Sequence, residues 1–247
     1  MNFYFVFEGK TEPIVYKGWL SVLLPQLTEV DSFDAVDRDN YYWESGMGVS
    51  NCYNVVANAI QEINEVPKYD YLVLCIDADN LTIAEKKQES HIKIAEKLAD
   101  KKKNYTYQAL PNNCQFVVIV QQVCIETWFL GNRKFFVPNP QTELLREYIE
   151  YFDVSIHNPE DLANEFVQNN EGTLQIFGYS TKAQFHAGYF GRIYRELTGR
   201  RYGKAKFKEI SERYYLEQLL ARIETNPEHL MSFQEFIGFC HKIKEQV

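Results

Sequence analysis

Five carboxylates stand where they could do chemistry together: Glu8 and Glu12 on either side of Gly9-Lys10-Thr11, Asp77 and Asp79 one residue apart, and Glu126. Each acidic position comes just after an apolar run: Phe3–Phe7, Tyr71–Ile76, or Gln115–Val120. Acids brought together repel one another, so they need a cation or a proton. Mg²⁺ suits such a place, because it takes one or two carboxylates and fills its shell with water and substrate phosphate. In extended backbone Asp77 and Asp79 point the same way. Taken singly, each acid has a plainer use. An Asp-x-Asp in a polar loop is more often a turn or a cap, and Glu12 or Glu126 could simply favour a helix N-terminus. Three strand-end acids at once favour a site.

The elements that would position these residues can be read from hydrophobic period and breakers. Phe3–Phe7, then Glu8-Gly9, then Glu12-Pro13 followed by Ile14, Val15, Trp19, Leu20, Val22 and Leu23, predicts strand, tight turn and helix, ended by Pro25. Thr11 is the expected cap and Pro13 fits a first helical turn. Residues 28–44 hold short β-like pieces, Phe33–Val36 and Tyr41–Trp43, of which at least one is expected to be a strand. A glycine turn (Ser45-Gly46-Met47-Gly48) leads into a helix with Val55, Val56, Ala59, Ile60 and Ile63 inward, closed by Pro67. Tyr71–Ile76 and Gln115–Val120 are continuous apolar runs, as strands buried on both faces should be. Between them a charged helix over 82–101 is expected to turn Ile83, Ile92, Ile94, Ala95 and Leu98 inward. Alternating strands and helices predict an α/β fold with a mostly parallel sheet and flanking helices. After about Pro138 only helical patterns remain, near 141–151, 159–169, 181–198, 205–223 and 229–244. The division read from the sequence is therefore 1–137, α/β, and 138–247, a helical C-terminal region.

Bulk composition narrows the function classes. The 247 residues are 45% hydrophobic and 24% charged, an ordinary globular balance. No run reaches the ~18 apolar residues of a membrane span, and no basic leader precedes Phe3, so a cytoplasmic protein is expected. The five cysteines lack finger or CxxC spacing and read as buried thiols. The five histidines form no metalloprotease pair, the serines no nucleophile elbow, and neither a Walker A loop nor GxGxxG occurs. The net charge of −8 speaks against general nucleic-acid binding, yet it is uneven. Residues 179–213 hold nine Lys/Arg against three acids, a local charge of +6 that leaves −14 for the rest. An acidic site beside a basic surface is one reading, and a solvated helical face is the other. Tyr189, Phe190, Tyr194, Tyr202 and Phe207 interleave the basic residues; at helical spacing such aromatics are more often core than platforms for bases.

In order and placement, FVFEGKTE, a glycine turn and LCIDADN resemble the TOPRIM domain of topoisomerases, primases and OLD-type nucleases. The Glu8/Glu12 pair looks most like the nuclease branch, and Ile-Glu-Thr-Trp-Phe-Leu at 125–130 resembles a motif of RloB-like proteins associated with phage defence. The resemblance covers roughly residues 1–135. It implies Glu8 as central acid, Asp77 and Asp79 as metal ligands, Glu12 serving a second metal, and Glu126 completing or orienting that site. It further implies Mg²⁺ or Mn²⁺, two ions in all, and a phosphate-approaching role for Gly46 and Gly48. OLD-type nucleases also place a catalytic Lys after the Asp-x-Asp, for which Lys101–Lys103 and Lys134 are candidates without a secure alignment. No ATPase domain is present, so an energy-coupled partner would be a separate subunit.

The expected function is metal-dependent hydrolysis of phosphodiester bonds in DNA or RNA, within a phage-defence system. Arg192, Arg195, Arg200, Arg201, Lys204 and Lys206 are the candidate nucleic-acid contacts. Two rivals stay open: a related phosphoryl-transfer enzyme acting on small substrates, and a non-catalytic interaction subunit of a defence complex.

Overall fold

The computed structural model describes residues 1–162, 177–203 and 208–246. Five strands form one parallel sheet in the order β2-β3-β1-β4-β5: β1 (Phe3–Phe7), β2 (Thr28–Glu29), β3 (Asn40–Ser45), β4 (Tyr71–Asp77) and β5 (Gln115–Gln121). β1 lies between β3 and β4, with Phe3 opposite Tyr41 on one side and Tyr71 on the other. All five β1 residues are buried, as an apolar strand with both faces covered requires.

The chain divides into two compact units that do not follow a single cut near residue 137. The first comprises Met1–Ile76, Thr82–Val120 and Phe236–Val247; the second comprises Asp77–Leu81 and Gln121–Glu235. In the first unit the period of two in β1 sends its rings to opposite faces. Phe3 and Phe7 face α1 (Glu12–Leu23) and the end of the C-terminal helix, meeting Phe239 and Tyr16. Tyr16 in turn packs on Phe236. Tyr4 faces the other way, where its hydroxyl donates to Glu62 Oε2 (2.7 Å) on α2 (Val49–Glu65). α3 (Ile83–Leu98) packs against α2, and Thr82 and Glu85 close a capping box at its start.

Two expectations change here, for Thr11 and for α3, and the strand expected among residues 28–44 is present. Thr11 adopts helical backbone angles and makes no side-chain cap; it is buried. Phe33–Ala35 is a 3₁₀ turn, with Tyr41–Trp43 supplying the strand. On α3 the buried stripe is Lys86, Ser90, Ile94 and Leu98, while Ile92 is half exposed and Ala95 exposed.

The second unit carries α4 (Ile125–Leu130), α5 (Glu143–Tyr151), α6 (Lys182–Thr198), α7 (Arg213–Thr225) and the start of α8 (Met231–Glu245). The expected helix near 159–169 falls mostly outside the described residues, and the one over 205–223 begins at Arg213. Buried Trp128, Phe129, Tyr148, Phe185, Tyr189, Phe190 and Tyr215 fill this unit's core. Arg222 crosses it, and its guanidinium donates to the carbonyls of Gly131 (2.8 Å) and Val154 (3.3 Å). Among the described residues no helix is long and apolar enough to cross a membrane.

Candidate functional site

The turn after β1 is held by backbone hydrogen bonds on both sides. The Glu8 N–H donates to Cys75 O (3.1 Å), and the Glu8 carbonyl accepts from Gly48 N–H (2.8 Å). Gly46 N–H donates to Phe7 O (2.8 Å), and Ser45 Oγ donates to Gly9 O (2.7 Å). The glycine turn thus fixes the backbone of Glu8, and its two glycine amides are engaged in doing so. The glycines are needed there. A Cβ on Gly46 would lie 2.5 Å from Cys52 Cα, and Gly48 has φ +133°, which side-chain-bearing residues rarely adopt.

Glu12, although at the start of α1, is buried. Its carboxylate folds back beneath the turn, since a Cβ on Gly9 would stand 3.0 Å from Glu12 Oε2. Cys52 registers both acids: burial first, then Glu8 and Glu12, push its thiol above the usual range, while Lys86 acts in the opposite sense. Lys86 is itself buried and ion-paired with Glu89 (3.2 Å). Glu8, Glu12 and Lys86 thus all act electrostatically on the Cys52 thiol. Sequence reading passed over Lys86 for Lys101–Lys103, which are exposed, and Lys134, which is also exposed. The missed signal was the i, i+4 stripe: Ile94 and Leu98 extended backwards give Ser90 and Lys86.

In the second unit Asp77 Oδ1 accepts the N–H of Ile125 (3.0 Å), the first residue of α4. The loop that follows is strained. Asp79 has φ +54° and Val123 φ +61°, and they are joined by Asp79 N–H to Val123 O (2.9 Å). Asp enters this region readily, but for β-branched Val it is a genuine outlier, and such outliers cluster at functional sites. Glu126, on α4, is buried, and its Oε1 accepts from the Tyr202 hydroxyl (2.9 Å). Asp77 and Glu126 both bear on Cys124, whose thiol is pushed well up by burial and then by these two carboxylates. The next residue on α4, Thr127, lies 2.8 Å from His186 Nδ1 through its Oγ1.

The basic segment resolves into different roles. Arg200 is ion-paired with Glu209. Arg192, Arg195 and Arg201 line a cavity of about 220 Å³. Lys204 and Lys206 lie outside the described residues, as does Phe207. Tyr189, Phe190 and Tyr194 are buried in the core, whereas Tyr202 is partly exposed.

Glu8 and Glu12 lie in the first unit, and Asp77, Asp79 and Glu126 in the second; carboxylate oxygens are the ligands that hard divalent cations such as Mg²⁺ or Mn²⁺ take. Among the described residues no three His, Cys, Asp or Glu side chains form a ready-made cage. Mg²⁺ does not demand one, since it usually keeps several waters and borrows ligands from substrate phosphate. No family model matches the sequence, and neither a curated protein nor a solved structure matches it.

Proposed function

We propose that the chain is a metal-dependent nuclease that hydrolyses phosphodiester bonds in DNA or RNA, with a phage-defence setting as its wider role. The observation that carries this reading is topological. Glu8 follows β1, Asp77 ends β4, and Glu126 lies on α4 just after β5; the three strands are neighbours in one parallel sheet. The crevice at the carboxyl ends of such strands is where open α/β sheets bind ligands. Glu8, Asp77 and Asp79 are the residues that would hold the metal, with Glu12 and Glu126 as further carboxylates. A bound divalent ion would supply charge stabilisation on the scissile phosphate and a more acidic water.

The chain's own residues supply the rest. The turn tied to Gly46 and Gly48 presents Glu8 from a fixed backbone, so its carboxylate meets a substrate with little reorganisation. Lys86, a cation held in a buried position, offers charge against a developing oxyanion. Tyr202 orients the Glu126 carboxylate by its hydroxyl.

One observation favours a second reading, an interaction subunit whose acids serve the fold: Asp77 holds the α4 amide. The same experiment separates the two. Labelled single-stranded and duplex DNA and RNA are incubated with Mg²⁺ or Mn²⁺ and wild type, Glu8→Gln or Asp77→Asn. Asn keeps the oxygen that accepts the Ile125 N–H while removing the charge. Metal-dependent cutting lost in both folded variants supports the nuclease. A folded wild type that neither cuts nor binds metal sinks it and leaves the interaction subunit.

A further inference from the structure

α6 carries two glycines in its interior, Gly188 and Gly191, where each lowers helix stability by about 1 kcal/mol relative to alanine. Their spacing puts them on one helical face together with Arg192 and Arg195. That face is the floor of the 220 Å³ cavity, and Arg201, Tyr179 and Tyr202 complete its wall. Gly188 admits Tyr179, and Gly191 leaves the space open. A side chain on Gly188 would overlap the Tyr179 hydroxyl, while one on Gly191 would project into the cavity and meet Tyr202 only at 3.6 Å. Tyr179 is held in place by the Tyr148 hydroxyl, which donates to it (2.8 Å).

Three arginines thus line one small cavity, and none of the three has an ion-pair partner among the described residues. Arg195 in the last helical turn also suits the helix dipole. The dipole does not account for Arg201, which is outside the helix, nor for glycines that weaken it. Guanidinium forks match the geometry of phosphate oxygens, and three of them suit a dianion better than the monoanionic diester of a chain interior. The volume is below the range of about 300–1,000 Å³ typical of whole drug-sized ligands. It accommodates a phosphate with part of a sugar.

We propose that this cavity binds the terminal phosphate monoester of a nucleic-acid strand. Tyr202 lines the cavity and also donates to Glu126, so an end seated there lies one side chain away from that carboxylate. The choice of a nucleic-acid strand rests on the function proposed above; the phosphate preference rests on the cavity. The enzyme would then act on strands counted from a phosphorylated end.

The test is binding in EDTA of fluorescein-labelled single-stranded oligonucleotides, DNA and RNA, carrying a 5′-phosphate, a 3′-phosphate or hydroxyls only. Nucleoside monophosphate and inorganic phosphate serve as competitors. Wild type runs beside Arg192→Gln and Gly191→Leu, each checked by near-UV circular dichroism. Gly191→Leu fills the cavity with every arginine retained and improves helix propensity. The expected result is binding at least tenfold tighter for one phosphorylated end, lost in both variants. Competition by nucleoside monophosphate at matching affinity would identify a mononucleotide as the occupant and overturn the strand-end assignment. Equal affinity for phosphorylated and hydroxyl ends, or a preference untouched by Gly191→Leu, also overturns the proposal. Metal-dependent cutting without end preference would leave the nuclease and remove the pocket; end preference without cutting would do the reverse.

Discussion

Lowering the pH from 7 to 5 should loosen the second unit through two histidines. His186 is fully enclosed, and burial followed by the charge of Lys182 brings its pKa down to about 3. His229 is brought down to about 4 by burial, then by Arg222; its Nε2 donates to Gly131 O (3.0 Å), which acts the other way, and Arg133 depresses it further. Both are neutral in the fold at pH 7. Between pH 6.5 and 4 an unfolded chain takes up protons on both rings while the folded chain refuses them, so stability falls as pH falls. At pH 5 each ring lies about 1.5 pH units below its unfolded pKa, worth about 2 kcal/mol at 1.36 kcal/mol per unit, or about 4 kcal/mol for the pair. For a chain of this size that is a fall in melting temperature of about 10 °C. Carboxylates titrate in the same interval, so the assay compares melts at pH 7 and pH 5 for wild type and for His186→Gln/His229→Gln. The double variant should lose about 4 kcal/mol less between the two pH values. An identical pH dependence in the two proteins would refute the argument. The effect reaches the candidate site, because His186 contacts Thr127, the neighbour of Glu126 on α4.

Gly46→Ala should destabilise the first unit by about 1–3 kcal/mol, because the new methyl meets the α2 backbone at Cys52 and α2 must shift; urea melts give the number. Arg222→Met should lower stability by about 1–3 kcal/mol, since it removes the guanidinium donor to the buried Val154 carbonyl and leaves Gly131 O with His229 alone; an unchanged midpoint would show that water replaces it. Ser232→Ala should be nearly as costly as a buried-polar loss of about 1–3 kcal/mol, because Ser232 Oγ accepts Trp128 Nε1–H (2.7 Å) and donates to Glu160. Lys86→Met, which keeps the aliphatic stem, should reduce metal-dependent cleavage at least tenfold while leaving the melting temperature within a few degrees. A fully active Lys86→Met protein would remove the lysine from the mechanism.

Three of the five strands were legible because they are short apolar runs. β1, β4 and β5 are such runs; β1 and β4 are buried on both faces, whereas β5, at the sheet edge, is buried only over its second half. The helix α3 was legible as a helix but not in its phase. A lysine and a serine occupy half of its buried stripe, so a count of apolar residues turned Ile92 inward when it faces out. A long aliphatic stem lets Lys be buried up to its charged tip, which a hydrophobicity pattern scores as surface. Of the two β-like pieces, Tyr41–Trp43 is the strand and Phe33–Ala35 a 3₁₀ turn; the choice was open because four residues are too few to distinguish a period of two from a single turn.

The candidate site was legible in kind and only partly in arrangement. The acids are named by type and by what precedes them, which is information along the chain. Their partners come from elsewhere: Glu126 meets Tyr202, 76 positions on, and Asp77 meets the amide of Ile125. The same limit applies to the basic segment, where six cations looked equivalent. Arg200 is engaged with Glu209, while Arg192, Arg195 and Arg201 open onto one cavity. Charge counting cannot make that distinction, because it turns on what lies opposite each side chain. The feature that could have made it was already in the sequence. Gly188 and Gly191 stand three apart inside a helix that is otherwise well formed, beside two arginines on the same face. A helix that retains interior glycines against their cost of about 1 kcal/mol each has a packing or binding reason to keep that face bare. Tyr179 against Gly188 accounts for one of them. A Cβ on Gly191 would make only ordinary contact with Tyr202, and Gly191 lines the same cavity as the three arginines.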